Sequence, residues 1–273
     1  MQFESLKVTT EHQGRVVHLG FDHGKANEMG SAQLRELETL TAWLAESGAL
    51  ALVTSSRRVS SKGTPIFVAG ANVTERVGWD DARVKAHVRW QRSVLAGLAA
   101  APVFHVAVVD GVALGWGTEY TLTADWVVAC DRATFGLPET GLGILPGAGG
   151  TSELWARVGP NQALRLGMTG ERIDADEALR IGLAQERVAT LEDGLRRADA
   201  LADLVTRRSP TAVAAFKAGV LASIGTARAD RTEIEARAYE RCVDSGEAAI
   251  GRTSFDTVRT GGTPSWGPRT LEG

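Results

Sequence analysis

Asp110-Gly111-Val112-Ala113-Leu114-Gly115-Trp116-Gly117-Thr118-Glu119 follows directly on the apolar run at 103–109. A short, unbroken apolar run of this kind reads as a strand buried on both faces. The glycines from 111 to 117 mark a break in the chain, and Glu119, Leu122 and Ala124 continue it as a helix. A buried strand, a bare turn and a helix make up the repeating unit of an α/β protein with parallel pairing. Similar units lie on both sides. Upstream, 49–54 is another apolar strand, and 66–72 is an apolar run ending in a glycine turn. A helix is expected at 80–100, ended by Pro102, with Val84, His87, Val88, Val94, Leu95 and Leu98 on one side. Downstream, 126–130 is again strand-like.

The chain starts as a hairpin. Strands at 5–10 and 15–21 flank the turn Glu11-His12-Gln13-Gly14. Ser31 reads as the N-cap of a helix with Leu34, Leu37, Leu40 and Leu44 at helical spacing, and Gly48 stops it. The polar stretch 55–65 reads as a loop. After Val188 the composition changes to Ala, Arg and Leu, with helices expected at 191–207, 210–224 and 231–245 and no strands. The expected division is a strand-and-helix core at 1–200 and a helical region at 201–273. The apolar faces of that region should pack on the core or on a neighbouring subunit.

Composition narrows the function. The 273 residues are 44% hydrophobic and 23% charged, ordinary for a globular chain. No apolar run reaches the ~18 residues of a membrane span. The start Met1-Gln2-Phe3-Glu4-Ser5 lacks the basic and apolar parts of a leader, so a cytoplasmic protein with no membrane partner is expected. A net charge of −3 argues against nucleic acid as a partner. The only two cysteines, Cys130 and Cys242, suggest neither a disulfide framework nor a zinc site. No Gly-x-Ser-x-Gly elbow or Walker A pattern occurs, and Pro146 stands where a dinucleotide fingerprint needs its third glycine. His18 and His105 fall in strands and read as structural.

Three segments stand apart: Phe67 to Asn72, Gly111 to Glu119, and Phe135 to Gly150. The turn at 115–117 leaves a strand and opens a helix, where backbone N–H groups have no partner. Glycine lets a ligand come close to that backbone. The turn at 69–71 offers a second such amide, and two amides converging on one carbonyl oxygen would make an oxyanion hole. Glu119 and Glu139 flank these turns among apolar residues, where a carboxyl tends toward a raised pKa and proton transfer. From spacing alone both glutamates also fit a plain role at a helix start.

In order and spacing the three segments resemble the signature of the crotonase superfamily, the enoyl-CoA hydratase/isomerase family: F-x-A-G-A-D, G-x-A-x-G-G-G-x-E and F-x-x-P-E-x-x-x-G-x-x-P-G-x-G-G. Lys25-Ala26-Asn27, the stretch 169–184, and Ser209-Pro210 with Lys217 are similar to flanking family segments, so the resemblance covers roughly 5–260. It implies an α/β spiral of ββα units with a C-terminal helical region, assembled as a homotrimer or dimer of trimers. It implies an acyl-CoA substrate, and no metal or separate cofactor. The amides of Ala71 and Trp116 would hold the thioester oxygen. Glu139 would exchange a proton with the substrate, and Glu119 would help it hold a water. Lys25, Ala26, Ala69, Gly70, Gly115 and Trp116 would line the CoA and substrate path. Syn addition of water to a 2-enoyl-CoA is the simplest activity. Isomerisation, decarboxylation, C–C hydrolysis and non-catalytic binding are the alternatives.

The chain departs from the pattern in places. Trp116 replaces a glycine, and its indole either narrows the pocket or packs beneath the turn. Asn72 replaces an aspartate. Arg57, Arg58 and Lys62 stand in the 55–64 loop, either over the CoA phosphates or free in solvent, and Trp266 is expected to dock on a subunit.

Overall fold

The computed structural model describes residues 3–271. Met1 and Gln2, part of the stretch read for a leader, lie outside the described residues. In chain order the elements are β1 (Leu6–Glu11), β2 (Val16–Phe21), α1 (Ser31–Glu46), β3 (Ala51–Ser56), β4 (Arg58–Val59), β5 (Pro65–Val68) and α2 (Asp81–Ala100). Next come β6 (Phe104–Val109), β7 (Val112–Leu114), α3 (Trp116–Thr121), β8 (Trp126–Cys130), β9 (Thr134–Gly136), α4 (Leu154–Val158) and α5 (Pro160–Thr169). The rest are β10 (Arg172–Asp174), α6 (Ala175–Ile181), β11 (Glu186–Val188), α7 (Leu191–Thr206), α8 (Pro210–Ser223), α9 (Arg228–Asp244), α10 (Glu247–Thr253) and α11 (Phe255–Arg259).

Among the described residues the strands form two sheets, in the orders β1-β2-β3-β6-β8-β11 and β10-β9-β7-β5-β4. The first is parallel apart from the β1–β2 hairpin. The path alternates between them: β3, β6 and β8 lie in the first sheet, and each leads to β5, β7 or β9 in the second. Each unit thus visits both sheets before its helix, the first with the extra short strand β4, which is the ββα spiral implied by the resemblance. The tight passage from β6 to β7 requires Gly111. Its φ is +79°, and a Cβ there would collide with the Pro65 carbonyl.

Side-chain alternation explains why the parallel strands read as unbroken apolar runs. Along β6, Ala107 and Val109 join the core shared with α1, whereas Val106 and Val108 join a second core under α7. Leu34, Leu37, Leu40 and Leu44 are fully buried on α1, as their spacing predicts. On α7, Leu191, Ala198 and Ala202 cover the far face of the sheet. The expected division at residue 200 therefore falls inside a helix that packs on the strands.

Three local readings differ from the structure. The N-cap of α1 is Gly30, whose N–H donates to Gln33 Oε1 at 3.0 Å, and Ser31 is already helical. The Glu75 carboxylate accepts from the Ser31 N–H at 2.9 Å and from its hydroxyl. The 55–65 stretch is not all loop: Ser55 and Ser56 end β3, and β4 pairs antiparallel with β5 in a short hairpin that runs to Val68. A two-residue strand has too few positions to show alternation. Likewise, the glycine break at 111–117 contains β7, three residues long, between two of its glycines.

The C-terminal helices are tied back to the core. Lys217 Nζ reaches Asp125 Oδ2 at 2.8 Å and the Val103 carbonyl at 2.9 Å. Trp266 docks on its own chain, its Nε1 donating to the Arg207 carbonyl at 3.0 Å. The Arg269 guanidinium donates to the carbonyls of Leu44, Ala45 and Ser47 at the end of α1, and to those of Ala49 and Pro102. Phe216, Val220, Ile224 and Tyr239 nevertheless stay exposed on and beside α8 and α9. Among the described residues no helix is long and apolar enough to cross a membrane.

Candidate active site

Two strand ends of the second sheet build the site. After β5, Met29 pairs with Ala71 in a parallel bridge: its N–H donates to the Gly70 carbonyl at 2.9 Å, and its carbonyl accepts from Asn72 at 2.8 Å. In this pattern the groups of 70 and 72 are used and the N–H of Ala71 is not. After β7, the Gly115 N–H donates to the Gly136 carbonyl at 2.8 Å and Trp116 opens α3. A first helical residue has no carbonyl one turn back to receive its N–H. Among the described residues no main-chain carbonyl accepts from Ala71 or Trp116.

Gly115 is fixed by its neighbours. Its φ of +52° suits glycine, and a Cβ at this position would collide with Glu139 Oε1. The Glu139 carboxylate is thus pressed against the turn that presents the Trp116 amide. Its Oε2 is buried without a hydrogen-bond partner. Burial pushes its pKa up to about 7, its own N–H opposes the rise, and the charge of Glu119 adds to it. Glu139 is therefore a carboxyl that gains and loses its proton near neutrality.

Glu119 is only 3% exposed. Its Oε1 accepts from the N–H groups of Ala148 and Gly150 at 2.7 and 2.9 Å. Burial raises its pKa, against the pull of these two amides and the charge of Arg92. Both bonds fall on one oxygen, so the carboxylate is oriented by backbone from the Gly147–Gly150 turn while Oε2 makes neither bond.

A cleft of about 820 Å³ brings the pieces together. Ala69, Gly70, Ala71, Gly115, Trp116, Glu119 and Glu139 all line it. Lys25 and Ala26 do not. The Ala26 carbonyl accepts from the Ala69 N–H at 3.0 Å, which sets that pair beside the 69–71 turn, with Lys25 exposed. The Trp116 side chain is core: it is 1% exposed and packs on Tyr120 with ring centroids 5.5 Å apart. Asn72 does a turn-forming job, its Oδ1 accepting from Thr74 Oγ1 at 2.7 Å and the Glu75 N–H at 3.2 Å. An aspartate oxygen would serve equally. Arg57 and Arg58 pair with Glu192 and Asp22. His105 is structural, as expected: it is buried beside Thr54, and burial pushes its pKa down to about 3.

Sequence reading missed part of the lining. Arg76, Val84, Val88, Gln91 and Arg92 line the cleft from α2 and the turn before it. Val84, Val88 and Gln91 share the apolar stripe of α2, a signal for burial that says nothing about chemistry.

Comparison with known proteins agrees with this architecture. Residues 59–262 match the family model described as enoyl-CoA hydratase/isomerase. A probable mitochondrial enoyl-CoA hydratase 2 of Arabidopsis thaliana is 33% identical over 194 residues, 71% of this chain and 64% of that one. A putative enoyl-CoA hydratase/isomerase of Bacillus subtilis, YngF, is 32% identical over 234 residues, covering 86% of this chain and 88% of its own. The crystal structure of an enoyl-CoA hydratase from Bacillus anthracis superposes with a TM-score of 0.86 at 28% identity, covering 96% of this chain and 99% of that one. The chain belongs to the enoyl-CoA hydratase/isomerase family and has the crotonase fold.

Proposed function

We infer that the chain is an enoyl-CoA hydratase, adding water syn across the double bond of a 2-enoyl thioester. The thioester oxygen would sit between the amides of Ala71 and Trp116, which stabilise the negative charge that grows on it as the enolate forms. Water would be held between Glu119 and Glu139. Its oxygen bonds to the β-carbon, one of its protons passes to a carboxylate, and the α-carbon takes a proton from Glu139. In reverse the same groups eliminate water. The CoA chain would pass Ala69 and Gly70, with Lys25 and Ala26 beside them. Assembly as a trimer or dimer of trimers would cover the exposed apolar side chains of α8 and α9.

The observation that carries this reading is Glu139. Its unpartnered oxygen is buried, its pKa is pushed up to about 7, and it is packed against the Gly115 turn from which α3 starts at Trp116. The test is NMR product analysis with crotonyl-CoA. The wild type should yield the 3-hydroxyacyl thioester. Glu119→Gln and Glu139→Gln should each lower kcat by about 100-fold or more with the oligomer intact. Hydration retained in both variants would reject the assignment. Double-bond migration in a 3-enoyl-CoA without hydration would make the chain an isomerase.

A further inference from the structure

The lining of the cleft holds a half-buried cation with no ion-pair partner among the described residues. Arg76 lies five residues beyond Ala71, in the short turn before α2, and its side chain is half-buried. Its Nη2 donates to Gln91 Oε1 at 3.2 Å, and its Nε is buried without a partner. Among the described residues no carboxylate lies within ion-pair reach of it. Glu75, the acid whose charge it feels, is bonded to Ser31. Other groups packed nearby do not neutralise it. His87 supplies no negative charge, and burial and the charge of Arg76 itself lower its pKa.

Gln91 repeats the pattern. It is 3% exposed and lines the cleft, and with its oxygen turned to Arg76 its Nε2 has no partner. A half-buried guanidinium whose Nε lacks a partner and a buried amide with spare N–H groups are both costly where water is kept away. The unpartnered atoms are both donors, and the one acceptor, Gln91 Oε1, is already taken by Arg76, so the pair is complementary to an anionic oxygen that reaches it from the cleft. A carboxylate would take charge-assisted bonds from both. Val84 and Val88, half-buried on α2 in the same cleft, add apolar surface that favours such bonds over hydration. Lys85 and Arg89, which also line the cleft, are exposed and carry no such cost.

We propose that Arg76 and Gln91 form a carboxylate-binding subsite at the acyl end of the cleft, so that the thioester taken by this chain carries a second, anionic group on its acyl chain. This deepens the hydratase reading and rests on it for the direction in which the acyl chain lies. Binding can be tested without turnover. Titration calorimetry would compare succinyl-, glutaryl- and adipyl-CoA with butyryl-, pentanoyl- and hexanoyl-CoA, pairs of equal carbon count that lack the reactive double bond. At least one carboxylated member should bind about 10-fold to 100-fold tighter than its neutral partner. That ratio should fall to near one in Arg76→Gln and shrink in Gln91→Leu. No preference at any chain length would overturn the proposal. So would an Arg76→Gln variant that weakens both members of a pair equally, since Arg76 would then be reading the CoA phosphates common to both. Because these ligands cannot be hydrated, a failure of the hydratase reading appears in the product assay and leaves this ratio unaffected.

Discussion

Glu139 holds a raised pKa at a cost to the fold. Its carboxyl moves from an ordinary value of 4.5 to about 7. Between those values the folded chain keeps a proton that the unfolded chain has lost, so stability falls as pH rises through that window. Glu139→Gln should accordingly stabilise the protein above pH 7 and leave it nearly unchanged at pH 4. About 1–2 kcal/mol is expected, after screening of a half-buried group. Thermal unfolding at pH 4 and pH 8 checks this, and an equal shift at both would contradict it. The wild-type pH–rate profile should also show an ionisation near 7 that the variant lacks. The sequence pointed to Glu119 and Glu139 by their apolar surroundings and family spacing. It could not show that Glu119 is oriented by the amides of Ala148 and Gly150, because those residues act through their backbone, whatever their side chains. Arg76 and Gln91 escaped for a different reason: an arginine in a polar turn and a glutamine in an amphipathic helix look ordinary until the cleft brings them together.

At the scale of elements, the β7–α3 turn sets the site. Gly115→Ala would force a side chain into a φ of +52° and against Glu139. A loss of about 1–3 kcal/mol in stability is expected from the strain. A fall of about 100-fold in kcat is expected from displacing both the amide and the carboxylate. Chemical denaturation and steady-state kinetics separate the two, and full activity in this variant would contradict the site's geometry. Long elements were legible because burial on one or two faces imposes a period on many residues, as on α1 and β6. Short ones such as β4 and β7 were not, since their pairing is decided by partners distant in the chain. Trp116 shows the same limit: the sequence left its indole between pocket and core, and packing on Tyr120 places it in the core.

The whole molecule is closed by its C-terminal segment. Arg269 satisfies carbonyls at the end of α1, which a helix C-terminus otherwise leaves to solvent. Arg269→Ala should cost about 2–4 kcal/mol, read by denaturant unfolding, and Arg269→Lys should recover only part of it because one ammonium cannot reach as many carbonyls. Exposed Phe216 and Val220 lie on the helix that Lys217 anchors to the core, and Ile224 follows directly after it. Light scattering should give three or six times 28.9 kDa, and Phe216→Glu should lower that mass while leaving the helical signal. A monomeric wild type would contradict the assembly.

The central claim is that the backbone amides of Ala71 and Trp116 converge on one thioester oxygen with Glu119 and Glu139 at the carbons beside it. A crystal structure of Glu139→Gln with bound crotonyl-CoA tests it most directly. The account predicts the thioester oxygen within hydrogen-bond distance of both amides, and the α- and β-carbons facing positions 139 and 119. An acyl group bound in the cleft with its oxygen turned away from either amide would contradict it.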